Sequence, residues 1–260
     1  MAEQLLMATF ILLVLAVLIN LARLWSPIIW LDSAAPLPMY LAAALLLVIL
    51  AWRTAEAGRL PLANMYEFSV FMVLIILLGY FLIRRVLQAP EFDLAVSLLL
   101  TMLFAMLASL PSDLRPLMPA LQSRWLSAHV ATAILAYSAF AIAFCLGIIY
   151  LIRTSREDAS LKEIDRQIYR MVVWGFALLT LVIITGAVWA EEVWGNWWSW
   201  DPKETWSLVT WVVYAAYLHA RRTRGWRGRR SAWLVVIGFL VVLFTLYGVS
   251  ILLPGLHSYA

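Results

Sequence analysis

The chain has 260 residues, of which 65% are hydrophobic and 13% charged, with a formal net charge of +4. A soluble domain with that balance could not cover its core with polar surface, so a water-soluble enzyme or binding module is excluded, and no nucleic-acid partner is expected. The apolar residues fall in long runs, each near the length that crosses a hydrocarbon core of about 30 Å. Lipid cannot satisfy backbone N–H and C=O groups, so the expected fold is all-α, a polytopic bundle of membrane-spanning helices.

Eight spans are predicted in chain order, over residues 5–24, 35–52, 66–86, 94–110, 126–152, 168–190, 203–219 and 231–253. Leu5–Leu24 is too long for a removable signal peptide and lacks a small-residue cleavage site, so it reads as the first span. Pro36 and Pro38 crowd the start of the second. No soluble domain or repeat interrupts the series, so residues 1–260 read as one integral membrane domain. The lone Cys145 lies inside an apolar run and reads as a packing residue; with no CxxC pair, dithiol exchange is not available to this chain.

Lysines and arginines set the orientation. Loop 220–230 holds Arg221, Arg222, Arg224, Arg227, Arg229 and Arg230, and loop 153–170 holds Arg153, Arg156, Lys162, Arg166 and Arg170. Alternation of spans places both loops on one side with Arg23, Arg84 and Arg85. That side carries fourteen of the nineteen cations and is expected to be cytoplasmic. Both termini and the loops 53–65, 111–125 and 191–202 are then expected outside.

The segment Trp194-Gly-Asn-Trp197-Trp198-Ser-Trp200-Asp201-Pro202-Lys203-Glu204-Thr-Trp206 carries five of the fourteen tryptophans within thirteen residues. An interfacial aromatic belt explains one or two tryptophans per helix end, but not this density. The alternative is an aromatic platform in an extracytoplasmic segment, 191–206. Indole faces stack on flat apolar ligands and indole N–H groups donate to carboxylates, and a porphyrin with its propionates has both features. Asp201, Pro202 and Glu204 also read as a helix start, with Asp201 at the N-cap, Pro202 first in the helix and Glu204 completing a capping box.

Three histidines occur, each at a membrane boundary. His129 and His257 share the expected outer face with the tryptophans, and two neutral imidazoles on one face suit one haem iron. His219 ends the seventh span at the opposite face. It lies eighteen residues from Asp201, about 27 Å along a helix, and cannot reach the same iron. Val212, Ala215 and Ala216 give it a small-residue neighbourhood that would admit a flat ligand. The plainer reading is that a histidine in a last helical turn favours the helix dipole and that small residues mark helix packing.

The stretch 194–208 resembles the WWD motif of the cytochrome c assembly superfamily, and within it the CcsA/ResC branch of cytochrome c biogenesis system II. Further matches are Thr210–His219, the run Asn64-Met-Tyr66-Glu67, Ser-Ala-His129-Val, and Leu-His257-Ser-Tyr. The likeness covers the chain from about residue 60 onward. It implies that haem b moves from the cytoplasm to the outer face. There His129, His257 and the segment with Trp194, Trp197, Trp198, Trp200, Asp201 and Trp206 hold it for attachment to the CxxCH motif of an apocytochrome c. Asn64, Tyr66 and Glu67 enter the cofactor-binding set on the same ground. His219 matches an inner haem ligand paired with a histidine of a CcsB/ResB-type membrane subunit. The chain is thus expected to be one half of a cytochrome c haem lyase or synthase, served by a thiol-reducing partner, in the plasma (cell inner) membrane or a thylakoid membrane.

Three other readings stand beside this one. A CcmC-like exporter would load a haem chaperone without attachment, but that branch has fewer spans and a different end to the motif. A membrane haem-b electron-transfer subunit would normally need two histidine pairs within spans, and three histidines do not supply them. A regulatory relative without chemistry fits poorly with the intact histidines and tryptophans.

Overall fold

The structure is a computed structural model describing residues 2–25, 29–114, 116–154, 160–253 and 255. Its described residues are helical or in turns and loops, as expected, and form two compact units. One comprises Met1–Pro61 and Met65–Leu114, the other Leu62–Asn64 and Arg115–Ala260.

The first unit contains α1 (Ala2–Trp25), the short α2 (Ile29–Ala34), α3 (Leu37–Ala57), α4 (Met65–Arg84) and α5 (Pro90–Leu107). α1 packs on α3 and α5, and α4 on the same two helices. α5 starts four residues earlier than the predicted span because Pro90, with its fixed φ, opens the helix without losing a hydrogen bond. α3 stops at Gly58, whose φ of 64° is the left-handed turn that glycine adopts without strain.

Buried charge fastens both ends of this unit. At one end Asp93, 1% exposed, accepts from Arg23 at 2.7 Å, Arg84 at 3.2 Å and the Tyr80 hydroxyl at 2.9 Å. Arg23 also bridges to the exposed Asp32 at 2.8 Å. At the other end the fully buried Glu67 accepts from Arg53 at 3.0 Å and Arg59 at 2.9 Å. Arg23 and Arg84 thus share one end and Arg53 and Arg59 share the other, the alternation on which the charge count relies.

The second unit contains a 3-10 turn (Pro119–Leu121), α6 (Arg124–Arg153), α7 (Leu161–Trp194), α8 (Pro202–Thr223), α9 (Arg229–Leu243), a π-helical turn (Phe244–Gly248) and α10 (Val249–Leu252). α6 and α7 form the most extensive pair, α9 packs on α6, and α8 packs on α7 and α9. The predicted last span is therefore interrupted. Thr245 inside the π-turn donates to the Val241 carbonyl at 2.8 Å and lies 3.0 Å from the Thr210 hydroxyl, a local widening of the helix that lets side-chain hydroxyls join α8 to α9.

Seven described helical segments are long and apolar enough to cross a membrane: Glu3–Trp25, Trp30–Ala57, Met65–Arg84, Pro90–Leu107, Arg124–Arg153, Leu161–Trp194 and Arg229–Leu252. α8 has 22 residues, about 33 Å at 1.5 Å per residue, but Lys203, Glu204, His219, Arg221 and Arg222 make it the most polar of the long helices. The chain is a multi-pass helical membrane protein.

Replacing Asp93 by alanine removes the carboxylate that Arg84 pairs with and, among the described residues, leaves the buried Arg23 with only the exposed Asp32 as an anion. Asp93→Ala should cost about 3–5 kcal/mol, read as a lower thermal unfolding midpoint of the detergent-solubilised protein, whereas Asp32→Ala at the exposed edge of the same cluster should leave the midpoint near that of the parent.

Candidate functional site

α6 and α7 run antiparallel, so the first turns of α6 meet the last turns of α7. Three contacts set their register. The Trp189 indole N–H donates to the Ala120 carbonyl at 3.0 Å. The Ser123 hydroxyl donates to the Glu192 carboxylate. His129 Nδ1 lies 2.9 Å from the Val182 carbonyl oxygen. A carbonyl only accepts, so Nδ1 carries the proton, which in a neutral ring puts the lone pair on Nε2. Ligating imidazoles are commonly held this way, one ring nitrogen donating to the protein and the other facing the metal.

From His129 a line of aromatic rings leads into the tryptophan segment. The imidazole stands 6.5 Å from the Trp189 ring at an interplanar angle of 21°. Trp189, 2% exposed, meets Trp194 edge-on at 4.8 Å. α7 then ends at Gly195, whose φ of 72° allows its N–H to reach back to the Glu191 carbonyl at 2.9 Å.

Trp197 and Trp200 are exposed. Trp198 is half-buried, and its indole N–H is buried without a hydrogen-bond partner among the described residues. Trp198 and Trp200 meet at 88°, with centroids 5.7 Å apart. These two rings therefore do not make one flat platform. Trp200 offers an exposed indole face, and Trp198 a buried indole N–H whose hydrogen-bonding capacity is unspent among the described residues.

The end of the segment is held tightly. Trp200 has a φ of 60°, a left-handed conformation unusual for a bulky side chain and costing about 1–2 kcal/mol. Glu204 offsets this by accepting from the amides on either side, Ser199 at 2.8 Å and Asp201 at 3.1 Å. Asp201 Oδ1 in turn accepts from the Lys203 amide at 2.9 Å, completing the capping box expected from the sequence. The other Asp201 oxygen lies against Gly255, where an added Cβ would sit 2.4 Å away. Gly255 thus lies directly against the start of α8. His257 lies outside the described residues.

The remaining predicted residues separate into distinct surroundings. Trp206 packs on Phe244 at 4.4 Å, and its carbonyl accepts from Thr210 at 2.8 Å and lies 3.2 Å from the Thr245 hydroxyl, so it joins α8 to the π-turn. Asn64 is half-buried just before α4. Tyr66 lies under the Arg53 guanidinium, 4.8 Å from its ring centre, and Glu67 is the anion of the buried cluster in the first unit. His219 is exposed near the far end of α8, on a stripe with the exposed Val212 and Ala216, while Ala215 is half-buried beside it. α8 is unbroken from Pro202 to Thr223, which keeps His219 about 27 Å from Asp201. At that end Arg221 grips Asp165 through two contacts of 2.9 and 2.5 Å, and Asp165 also accepts from the Gly228 amide at 3.3 Å, so the two arginine-rich loops meet.

Sequence reasoning missed Trp189, Ser123 and Glu192. The signal for them is faint: Glu191-Glu192 follows a long apolar stretch of α7, and Trp189 stands apart from the dense tryptophan run.

A family model described as cytochrome c assembly protein matches residues 62–257. A protein from Prochlorococcus marinus (strain AS9601), named cytochrome c biogenesis protein CcsA, is 41% identical over 263 residues, covering 88% of this chain and 85% of its own. One of the same name from Guillardia theta is 40% identical over 250 residues, covering 84% and 83%. A solved structure, named cytochrome c heme lyase CcmF, shares the fold at a TM-score of 0.70 and 17% identity; the match covers 95% of this chain but only 46% of that one. The helical membrane fold and these matches place the chain in the cytochrome c assembly protein family, and within that family it belongs with the CcsA proteins.

The Glu204 contacts make a local prediction. Glu204→Ala should free the Ser199 and Asp201 amides and lower stability by about 0.5–2 kcal/mol, with faster proteolysis between residues 196 and 201. Trp200→Gly relieves the left-handed strain and should raise the unfolding midpoint while removing the exposed ring.

Proposed function

We propose that this chain is the haem-presenting half of a two-subunit cytochrome c synthase. Membership of the CcsA family makes it a cytochrome c biogenesis protein. The finer reading rests on one observation above all: His129 is held with its Nδ1–H on the Val182 carbonyl, one buried indole away from Trp194. That arrangement supports a ligand on Nε2 at the mouth of the tryptophan segment.

In this reading His129 and His257 ligate the iron of haem b, the transported substrate, on the extracytoplasmic face given by the charge count. Trp197 and Trp200 provide exposed indole faces, and the Trp198 N–H suits a propionate oxygen. Asp201 and Glu204 act indirectly, by fixing the turn that carries Trp200. His219, on the exposed side of α8 at the cytoplasmic end, takes part in an earlier inner site completed by a histidine of a CcsB/ResB-type subunit. The apocytochrome supplies two thiols. Adding S–H across a vinyl group is redox-neutral, so the protein's task is to position the reactants, and a separate thiol-reducing partner keeps the cysteines available. The complex resides in the plasma membrane or, in a photosynthetic cell, the thylakoid.

The test is co-expression with a CcsB/ResB-type subunit and a CxxCH reporter in a strain lacking its own assembly system. The parent pair should yield covalent haem on the reporter, and His129→Ala or His257→Ala should each reduce it at least about tenfold at equal protein level. Undiminished reporter in both variants contradicts the assignment of these ligands.

A further inference from the structure

The His129 imidazole is seated directly against the side of α7. In an α-helix each Cα–Cβ bond tilts toward the N-terminus, so the side chain of residue i+4 lies over the turn of residue i and shields its carbonyl. The residue four beyond Val182 is Gly186. A Cβ built there would lie 2.8 Å from His129 Nδ1 and 2.9 Å from Cε1, closer than side-chain carbons approach ring atoms. The imidazole occupies the space that any other residue's side chain would fill.

We infer that Gly186 is a positioning residue for His129: with the Val182 carbonyl it forms a notch in α7 that seats the imidazole, selects the Nδ1–H tautomer and presents Nε2 to the haem iron. Trp189, one turn further on, forms the wall of this notch, with its ring 6.5 Å from the imidazole and its own N–H anchored on Ala120. The Val182 carbonyl can accept the imidazole N–H because an oxygen has two lone pairs, and the glycine leaves the second one accessible. Thr185 approaches the same oxygen at 3.3 Å but is better matched to Leu181 at 2.7 Å. The inference rests on His129 being a haem ligand, and its test separates the two statements.

The experiment uses the complex with the CcsB/ResB-type subunit, purified with its haem, and four versions of this chain: parent, His129→Gly, Gly186→Ala and the double variant. In His129→Gly the six-coordinate low-spin spectrum of the outer haem should be lost and should return on adding free imidazole, which can enter the vacated notch. Gly186→Ala should reproduce the loss, with haem retention about 10- to 100-fold weaker, as expected when a ligand's supporting contact is removed. In the double variant free imidazole should fail to restore the spectrum, because the methyl group fills the notch. Removing the ring also relieves the clash, so the double variant should accumulate at least as well as Gly186→Ala, a coupling expected only of residues in direct contact. A parent-like spectrum in Gly186→Ala, or full imidazole rescue of the double variant, overturns the notch while leaving His129 as a ligand. An unchanged spectrum in His129→Gly overturns the ligand assignment itself.

Discussion

The hydrogen bond from His129 to the Val182 carbonyl joins α6 to α7 at the place where both helices approach the tryptophan segment. The remainder of the site follows from that junction. Trp189 packs beside the imidazole because it lies two turns beyond Val182 on the same helix. Trp194 meets Trp189 because α7 continues to its glycine cap. The segment then turns back into α8 through the Asp201–Glu204 cap. The direction from histidine to tryptophans is therefore built into one antiparallel helix pair and its C-terminal cap, with no soluble domain needed to assemble it.

The second constraint is the cost of charge in lipid. Asp93 and Glu67 are buried in the first unit, each against two arginines at opposite helix ends. In the second unit Asp165 holds Arg221. These pairs mark the helix ends, where loops can bring opposite charges together, and leave the middles of the helices to apolar packing. Such clusters are poor sources of net stability, but removing one partner is costly because it strands the other in a low-dielectric site. The charges that define orientation in the sequence are thus also those that fasten the helices.

Much of this was legible in the sequence. The helices follow from long apolar runs, and the cap at Asp201–Glu204 from the spacing of Asp, Pro and Glu. The separation of His219 from the tryptophans needed only the rise of a helix. What was not legible arises where residues far apart in the chain meet. Gly186 is an unremarked glycine in an apolar helix until α6 delivers an imidazole against it. Five neighbouring tryptophans suggest a platform, yet Trp198 meets Trp200 edge-on and Trp206 turns away to Phe244. The Tyr66–Glu67 pair, grouped by resemblance with the haem-binding residues, has its described contacts with Arg53 and Arg59 in the first unit. Tertiary contact and backbone turn geometry set each of these contacts, and neither has a periodic signature in the sequence.

In the proposed function His129 Nε2 is a direct ligand to the outer haem iron. The most direct measurement is a ligand exchange, His129→Met, in the haem-loaded complex, read by near-infrared magnetic circular dichroism of the oxidised form together with the reduction potential. If His129 is the ligand, the bis-imidazole signature gives way to a histidine–methionine signature and the potential rises, as thioether ligation favours the reduced iron. A bis-imidazole signature and potential that do not change on the exchange would contradict it.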